Sequence, residues 1–202
     1  MKISKVKNFG LSQFYPNAQD KKYICLHHTC GSTAEGAISH WLKTPEKVGT
    51  AFIIDKDGTI HQCFDSAHWA YQYGLKTANR TEVEKASIGI ELVNEGGLYL
   101  RAGKHFTDWN KEFKGEVKTA ASWRGYKAWA NYTEAQYAAL AELLKFLADK
   151  HDLELKINES IELNTKVFDT HNIINHANVR QDKSDLSPAF DFNKLKEFLS
   201  LY

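Results

Sequence analysis

The chain has few cysteines, few prolines and almost no net charge. Its 202 residues include three cysteines and three prolines, and 26 basic against 25 acidic residues leave a formal charge of +1. An odd number of cysteines without a C-x-x-C pair argues against a disulfide scaffold and favours a reducing compartment. The balanced charge creates no overall field that would attract nucleic acid or an acidic membrane. A binding partner must therefore be inferred from a local site.

Long apolar runs are also absent. No window approaches the run of about 20 apolar residues that a membrane helix needs. Residues 1–17 lack the apolar core and the small-residue cleavage site of a signal peptide. We therefore expect a soluble protein without membrane insertion, either cytoplasmic or released by lysis or a non-classical secretion route. With 43% hydrophobic residues, the chain can form one compact domain over residues 1–202.

Strand patterns are present in the first half of the chain. We predict buried strands at 23–27 and 87–93, because both segments are short apolar runs followed by polar or glycine residues. Segments 51–54 and 59–64 flank Asp57-Gly58, whose glycine suits the positive φ of a tight turn. These two segments are predicted to form an antiparallel hairpin.

Helical patterns follow the strands. Ser32 and Thr133 each begin a capping-box spacing before apolar residues at helical intervals, and a third helical pattern begins at Phe192. Because strands and helices interleave around at least one hairpin, we predict the α/β class: a single domain with a mixed central β-sheet flanked by helices.

Residues 97–131 show no clean period, and we predict an irregular, aromatic-rich insertion there. The segment contains Trp109, Trp123, Tyr126 and Trp129. Aromatic faces present apolar area to saccharide rings, so these side chains either form a stacking surface or pack the insertion onto the domain. The sequence leaves both interpretations open.

Polar residues suited to catalysis lie at or near the strand ends. His27-His28 closes the first buried strand, Glu91 interrupts an otherwise apolar strand, and His176 is followed by Lys183 and Asp185. Taken singly, each has a structural explanation. A strand-end histidine is commonly a hydrogen-bonded core residue, Glu91 fits a paired carboxylate, and a loop lysine is usually solvated.

Taken together and in order, segments 24–29, 87–92 and 173–192 resemble the zinc amidases of the second N-acetylmuramoyl-L-alanine amidase family. That family includes phage lysozyme-type amidases, cytosolic anhydro-muropeptide amidases and animal peptidoglycan recognition proteins. The resemblance covers about residues 20–96 and 131–200 and leaves the insertion unmatched. It implies a monomer that hydrolyses the amide bond between N-acetylmuramic acid and L-alanine, with peptidoglycan or a soluble muropeptide as its partner.

The resemblance also implies roles for particular residues. His27, His176 and Asp185 fall on the family's zinc ligands, and such a set leaves a position open for water on a hydrolytic Zn²⁺. Glu91 falls on the general base of the anhydro-muropeptide branch. Lys183, which lies beside the third ligand as in the catalytic branches, carries a positive charge suited to an oxyanion.

Other positions match the family less closely. His171 is an alternative ligand to His176, but the Ile-Ile-Asn-His context favours His176. Thr50 stands where other branches have a catalytic tyrosine, and His68 and Trp69 lie in a segment similar, with altered order, to one that borders the family's substrate groove. We take these three residues as candidate substrate contacts.

Two classes of function fit this pattern. One is a metalloenzyme that hydrolyses an amide, and the other is a non-catalytic module that binds peptidoglycan or muropeptides with the same fold. Recognition proteins without activity typically lose a metal ligand, whereas all three ligand positions are filled here, which favours the enzyme. Whether it is a recycling enzyme, a phage lysin or a delivered toxin stays open.

Overall fold

Two β-sheets organise the chain, which a computed structural model describes over residues 3–164 and 166–201. The strands are β1 (Ile3–Lys5), β2 (Tyr23–His28), β3 (Phe52–Ile54), β4 (Ile60–Gln62), β5 (Ser87–Leu92), β6 (Gly97–Arg101), β7 (Lys104–Phe106), β8 (Val117–Trp123), β9 (Tyr126–Ala130) and β10 (Ile173–Asn175). The helices are α1 (Ala34–Leu42), α2 (Arg80–Lys85), α3 (Glu134–His151), α4 (Val167–Thr170), α5 (His176–Val179) and α6 (Phe192–Ser200).

The larger sheet is mixed and has six strands in the order β1-β4-β3-β5-β2-β10. β2 pairs in parallel with both β5 and β10, whereas β3 and β4 form an antiparallel hairpin. The central strands are buried along most of their length, as expected where both faces of a parallel sheet are covered. The predicted α/β class with a mixed sheet is confirmed.

The hairpin turn has the predicted geometry. Gly58 adopts φ +83, in the left-handed region that suits glycine. A side chain at this position would also meet the backbone oxygen of Ala135, at 2.8 Å from an added Cβ. The turn therefore allows α3 to approach the sheet closely.

Side-chain caps mark the start of α1 and α3. The capping box of α3 forms as predicted, with Thr133 and Gln136 each accepting from the other's backbone N–H. The N-cap of α1 is Thr33 rather than the predicted Ser32, because the Thr33 hydroxyl accepts from the N–H of Gly36. Within the described ranges, no helix combines the length and the apolar character that crossing a membrane requires.

The segment predicted to be irregular forms a second sheet. Its four strands pair antiparallel in the order β7-β6-β9-β8. The expectation of irregular structure was wrong, because these strands lack the regular alternation of apolar and polar residues that would have indicated them. A register shift between Thr119 and Trp123 interrupts the alternation in β8, and β6 passes from buried to exposed residues. Trp129, at 0% exposure, belongs to the main hydrophobic core and anchors this sheet.

Candidate metal and catalytic site

Three buried side chains converge at one end of the central sheet. The Nδ1 atoms of His27 and His176 lie 3.1 Å apart, and each lies 3.1 Å from Oδ2 of Asp185. Among the residues that the structure describes, only these three form a His, Cys, Asp or Glu group able to hold a metal ion.

The topology explains this convergence. His27 is the fifth residue of β2, and His176 begins α5 directly after the neighbouring strand β10. Because parallel strands end at the same edge of a sheet, both side chains reach the same place. The loop that carries Asp185 returns to this edge, where the carbonyl of Asp185 accepts from the N–H of Ala177 at 2.7 Å.

Each histidine is oriented by an acceptor that contacts Nε2, the ring nitrogen facing away from the cluster. The sequence did not reveal either acceptor. Nε2 of His176 lies 2.9 Å from the carbonyl oxygen of Tyr73, which only accepts, so Nε2 carries the hydrogen and Nδ1 presents a lone pair. Nε2 of His27 lies 3.2 Å from Oε1 of Gln72 and takes the same arrangement. Partners of this kind fix the tautomer and direction of metal-binding histidines.

A buried carboxylate in turn positions this pair of acceptors. The backbone N–H groups of Gln72, Tyr73 and Gly74 donate to Glu84 at 2.9, 3.2 and 3.3 Å. Glu84 is 1% exposed, and its burial raises its pKa to about 7. No motif marked Gln72 or Glu84, since an isolated glutamine or helical glutamate has no sequence signal.

The donor set fits zinc. With both Nε2 hydrogens directed outward, two lone pairs and a carboxylate face one another without a hydrogen between them, an arrangement that a cation stabilises. The separations of 3.1 Å are close to the roughly 3.3 Å between ligand atoms of a tetrahedral zinc with bonds of about 2.0 Å. Burial alone would raise the pKa of Asp185, but His176 and His27 outweigh it and hold that pKa well below its usual range.

Glu91 lies beside this cluster. It is the register partner of His27 on the neighbouring strand β5, so both side chains project from the same face. Its Oε2 is buried without a hydrogen-bond partner within the described residues. Burial raises the pKa of Glu91 to about 7, with Asp185 adding to the shift and His27 and Lys183 opposing it. Such a carboxylate accepts and releases protons near neutral pH.

The site opens into a groove with two ends. A cavity of about 360 Å³ is lined by the cluster, Glu91 and Lys183, and a second of about 420 Å³ is lined by α1 residues and Trp109. Thr29, Cys30 and Glu91 border both cavities, which makes them neighbours. A larger cavity of about 850 Å³ lies between the second sheet and the start of α3, but it contains none of the converging residues. Size alone therefore does not mark the site.

Thr50 and His171 do not join the cluster. Thr50 is 2% exposed and its hydroxyl donates to the carbonyl of Phe52. Its role as a substrate contact stays a prediction. His171 lies at the end of α4 with its ring nitrogen 2.8 Å from the hydroxyl of Thr170. The structure thus places His176 in the cluster, as predicted, and His171 outside it.

His68 and Trp69 line neither cavity of this groove, and their role as substrate contacts stays a prediction. Lys21, which precedes β2, donates to the carbonyl of His68 at 2.7 Å, and the His68 ring stacks on Phe14. Lys21 is six residues before His27 along the chain, about 20 Å in an extended strand, so this contact lies at the opposite end of the sheet. Trp69 is buried and stacks on Tyr15.

The fold and the site together define a class: a mixed α/β domain with a hydrolase-type site at the carboxyl ends of its parallel strands. A family profile described as N-acetylmuramoyl-L-alanine amidase matches residues 17–188. The chain belongs to this family, and the match spans the second sheet. No curated protein matches the chain significantly.

Solved structures of amidases share the fold. N-acetylmuramoyl-L-alanine amidase LysC from Clostridium intestinale URNW is 16% identical with a TM-score of 0.55, covering 99% of this chain and 98% of LysC. PlyL is 13% identical with a TM-score of 0.56, covering 98% and 96%. The E. coli amidase AmiD, solved with anhydro-N-acetylmuramic acid-L-Ala-D-γ-Glu-L-Lys, is 19% identical with a TM-score of 0.58, covering 91% of this chain and 59% of AmiD.

Proposed function

We propose that this chain is a zinc-dependent enzyme that hydrolyses the amide bond between N-acetylmuramic acid and L-alanine in peptidoglycan or muropeptides. The observation that supports it most directly is the convergence of His27, His176 and Asp185 beside Glu91, in a chain of the amidase family. The muropeptide bound to AmiD belongs to the substrate class proposed here.

In this proposal His27 and His176 bind zinc through Nδ1, and Asp185 binds it through a carboxylate oxygen. When bound, zinc supplies Lewis-acid polarisation of the scissile carbonyl and lowers the pKa of water to about 7. Gln72 and the carbonyl of Tyr73 hold the two imidazoles in the required tautomer.

Glu91 and Lys183 carry the remaining chemistry. As a new C–O bond forms between water and the carbonyl carbon, Glu91 accepts the proton of water. The Lys183 ammonium, which lines the same cavity, stabilises the developing oxyanion. Glu91 then donates its proton to the nitrogen of L-alanine as the C–N bond breaks, which returns Glu91 to its ionised form.

The test measures metal and product on one sample. Protein purified without added metal is analysed for zinc and incubated with N-acetylmuramoyl-L-Ala-D-γ-Glu-L-Lys and with intact sacculi, and the released amino termini are identified by mass spectrometry. We expect about one zinc per chain and new N-terminal L-alanine that disappears on chelation and returns with zinc. Binding of the muropeptide without zinc and without cleavage would instead support the non-catalytic binding module. The two substrates also separate soluble from polymeric specificity.

A further inference from the structure

The second sheet places one tryptophan at the groove. Trp109 lies in the turn formed by residues 107–110 after β7, where the N–H of Asn110 donates to the carbonyl of Thr107 at 2.9 Å. Its side chain is 44% exposed, unlike the buried Trp129 of the same sheet. Trp109 and Glu91 both line the cavity of about 420 Å³. The ring therefore borders the space next to the proposed general base.

Side-chain hydrogen bonds hold this turn in place. The hydroxyl of Tyr126, on β9, donates to both carboxylate oxygens of Asp108 at 2.8 and 2.9 Å. Arg101, on β6, donates to the side-chain oxygen of Asn110 at 2.5 Å, and Asn110 itself adopts φ +62. Two neighbouring strands thus fix Asp108 and Asn110 on either side of Trp109, so the backbone that carries the indole is held in place.

The chemistry of the groove differs between its two ends. The end at the cluster is lined by charged residues, including Lys183 and Asp182. Besides Glu91, the lining that the structure describes around Trp109 comes from α1 and its preceding loop, and it includes no lysine or arginine. From α1 it contains Gly36, Ala37, His40 and Trp41. A neutral, partly apolar group fits this end better than a carboxylate does.

A muropeptide presents one group of each kind. The muramoyl sugar has no charge once its carboxyl is joined to L-alanine, and its C–H face is apolar. A peptide linked through D-γ-Glu carries free carboxylates. We propose that Trp109 is a specificity-determining residue whose indole stacks on the pyranose ring of the muramoyl group, which directs the peptide across the cluster towards Lys183. This inference rests on the proposed function for the identity of the substrate.

The experiment measures binding rather than turnover. Isothermal titration uses two probes, the methylamide of N-acetylmuramic acid and the tripeptide L-Ala-D-γ-Glu-L-Lys, on wild type, Trp109→Ala and Trp109→Phe. We expect Trp109→Ala to weaken binding of the saccharide about tenfold and to leave binding of the tripeptide within about twofold, because an aromatic platform contributes on that scale. Trp109→Phe should keep most of the affinity. Leu100→Ala, on the same sheet at 65% exposure and outside the groove lining, is the matched control.

Three outcomes would overturn the inference. Weaker binding of the tripeptide alone would assign Trp109 to the peptide side, and unchanged binding of both probes would remove it from the substrate site. Wild type that fails to bind the saccharide would likewise overturn the proposed stacking. Melting temperatures of all variants show whether a loss reflects unfolding. Wild type that binds the saccharide through Trp109 but releases no L-alanine would contradict the proposed function and leave this inference standing.

Discussion

Glu91 is a residue whose environment sets its chemistry. It lies beside His27 in the sheet, and one of its carboxylate oxygens is buried with no hydrogen-bond partner among the residues that the structure describes. Burial raises its pKa to about 7. A proton carrier works best when its pKa lies near the working pH, and this carboxylate meets that condition through its position alone.

We predict that Glu91→Gln retains zinc but loses about 100-fold or more in turnover, since a general base contributes on that scale. Because the base must be ionised, the wild-type rate should rise with pH through about 7, the pKa of Glu91. Turnover from pH 5 to 9 and zinc content of the same samples provide the measurement. Loss of zinc in the variant would show that Glu91 is a ligand or a structural residue.

At the scale of elements, the segment 72–74 links α2 to both histidines of the cluster. Glu84 of α2 accepts its three backbone N–H groups, and Gln72 and Tyr73 then face the imidazoles. Gly89 of β5 makes room for this arrangement, because a Cβ there would overlap the side-chain oxygen of Gln72. The segment supports the site without lying next to it in sequence.

We predict that Gln72→Ala weakens zinc binding about 10- to 100-fold, the range typical for loss of a partner that orients a metal-binding histidine. Competition with a chromophoric chelator measures the affinity. Gln72→Glu keeps an acceptor for Nε2 of His27 and should restore most of it. Gln19→Ala is the control, because it removes the same kind of side chain at a position whose backbone N–H donates to the carbonyl of Ala67. Equal zinc affinity in Gln72→Ala and wild type would exclude this orienting role.

At the scale of the whole molecule, the cluster joins distant parts of the chain. His27 is separated by 149 residues from His176 and by 158 from Asp185. An ion held by all three binds the folded state and not the unfolded chain, in which these residues are far apart. Binding must then stabilise the fold by mass action.

We predict that zinc at about 100 times its Kd adds roughly 2.7 kcal/mol to the free energy of unfolding. For a chain of this size that raises the melting temperature by roughly 5 to 10 °C. Differential scanning calorimetry with zinc and with a chelator measures the shift. Asp185→Ala should remove it, whereas Asp169→Ala, an exposed acid of α4, should keep it. A shift that survives in Asp185→Ala would place the ion elsewhere.

The sequence by itself determined the elements whose signals are local. The hairpin at Asp57-Gly58 and the capping box at Thr133 depend on residues within one turn of each other, and both form as predicted. The apolar runs of β2 and β5 identified the central strands. The ordered resemblance also selected His27, His176 and Asp185 as the groups to bring together, because a family pattern records a tertiary contact that spacing alone does not reveal.

Only the tertiary structure decided the features that depend on distant partners. The pairing of β6 with β9 makes residues 97–131 part of a sheet. Packing buries Trp129 and leaves Trp109 exposed, so two tryptophans of one segment have different environments. Packing buried Thr50 and placed His68 at the other end of the sheet, and their sequence context indicated neither outcome. Hydrogen bonds and burial between residues far apart in the chain leave no periodic trace in the sequence, so these outcomes appear only when the chain is folded.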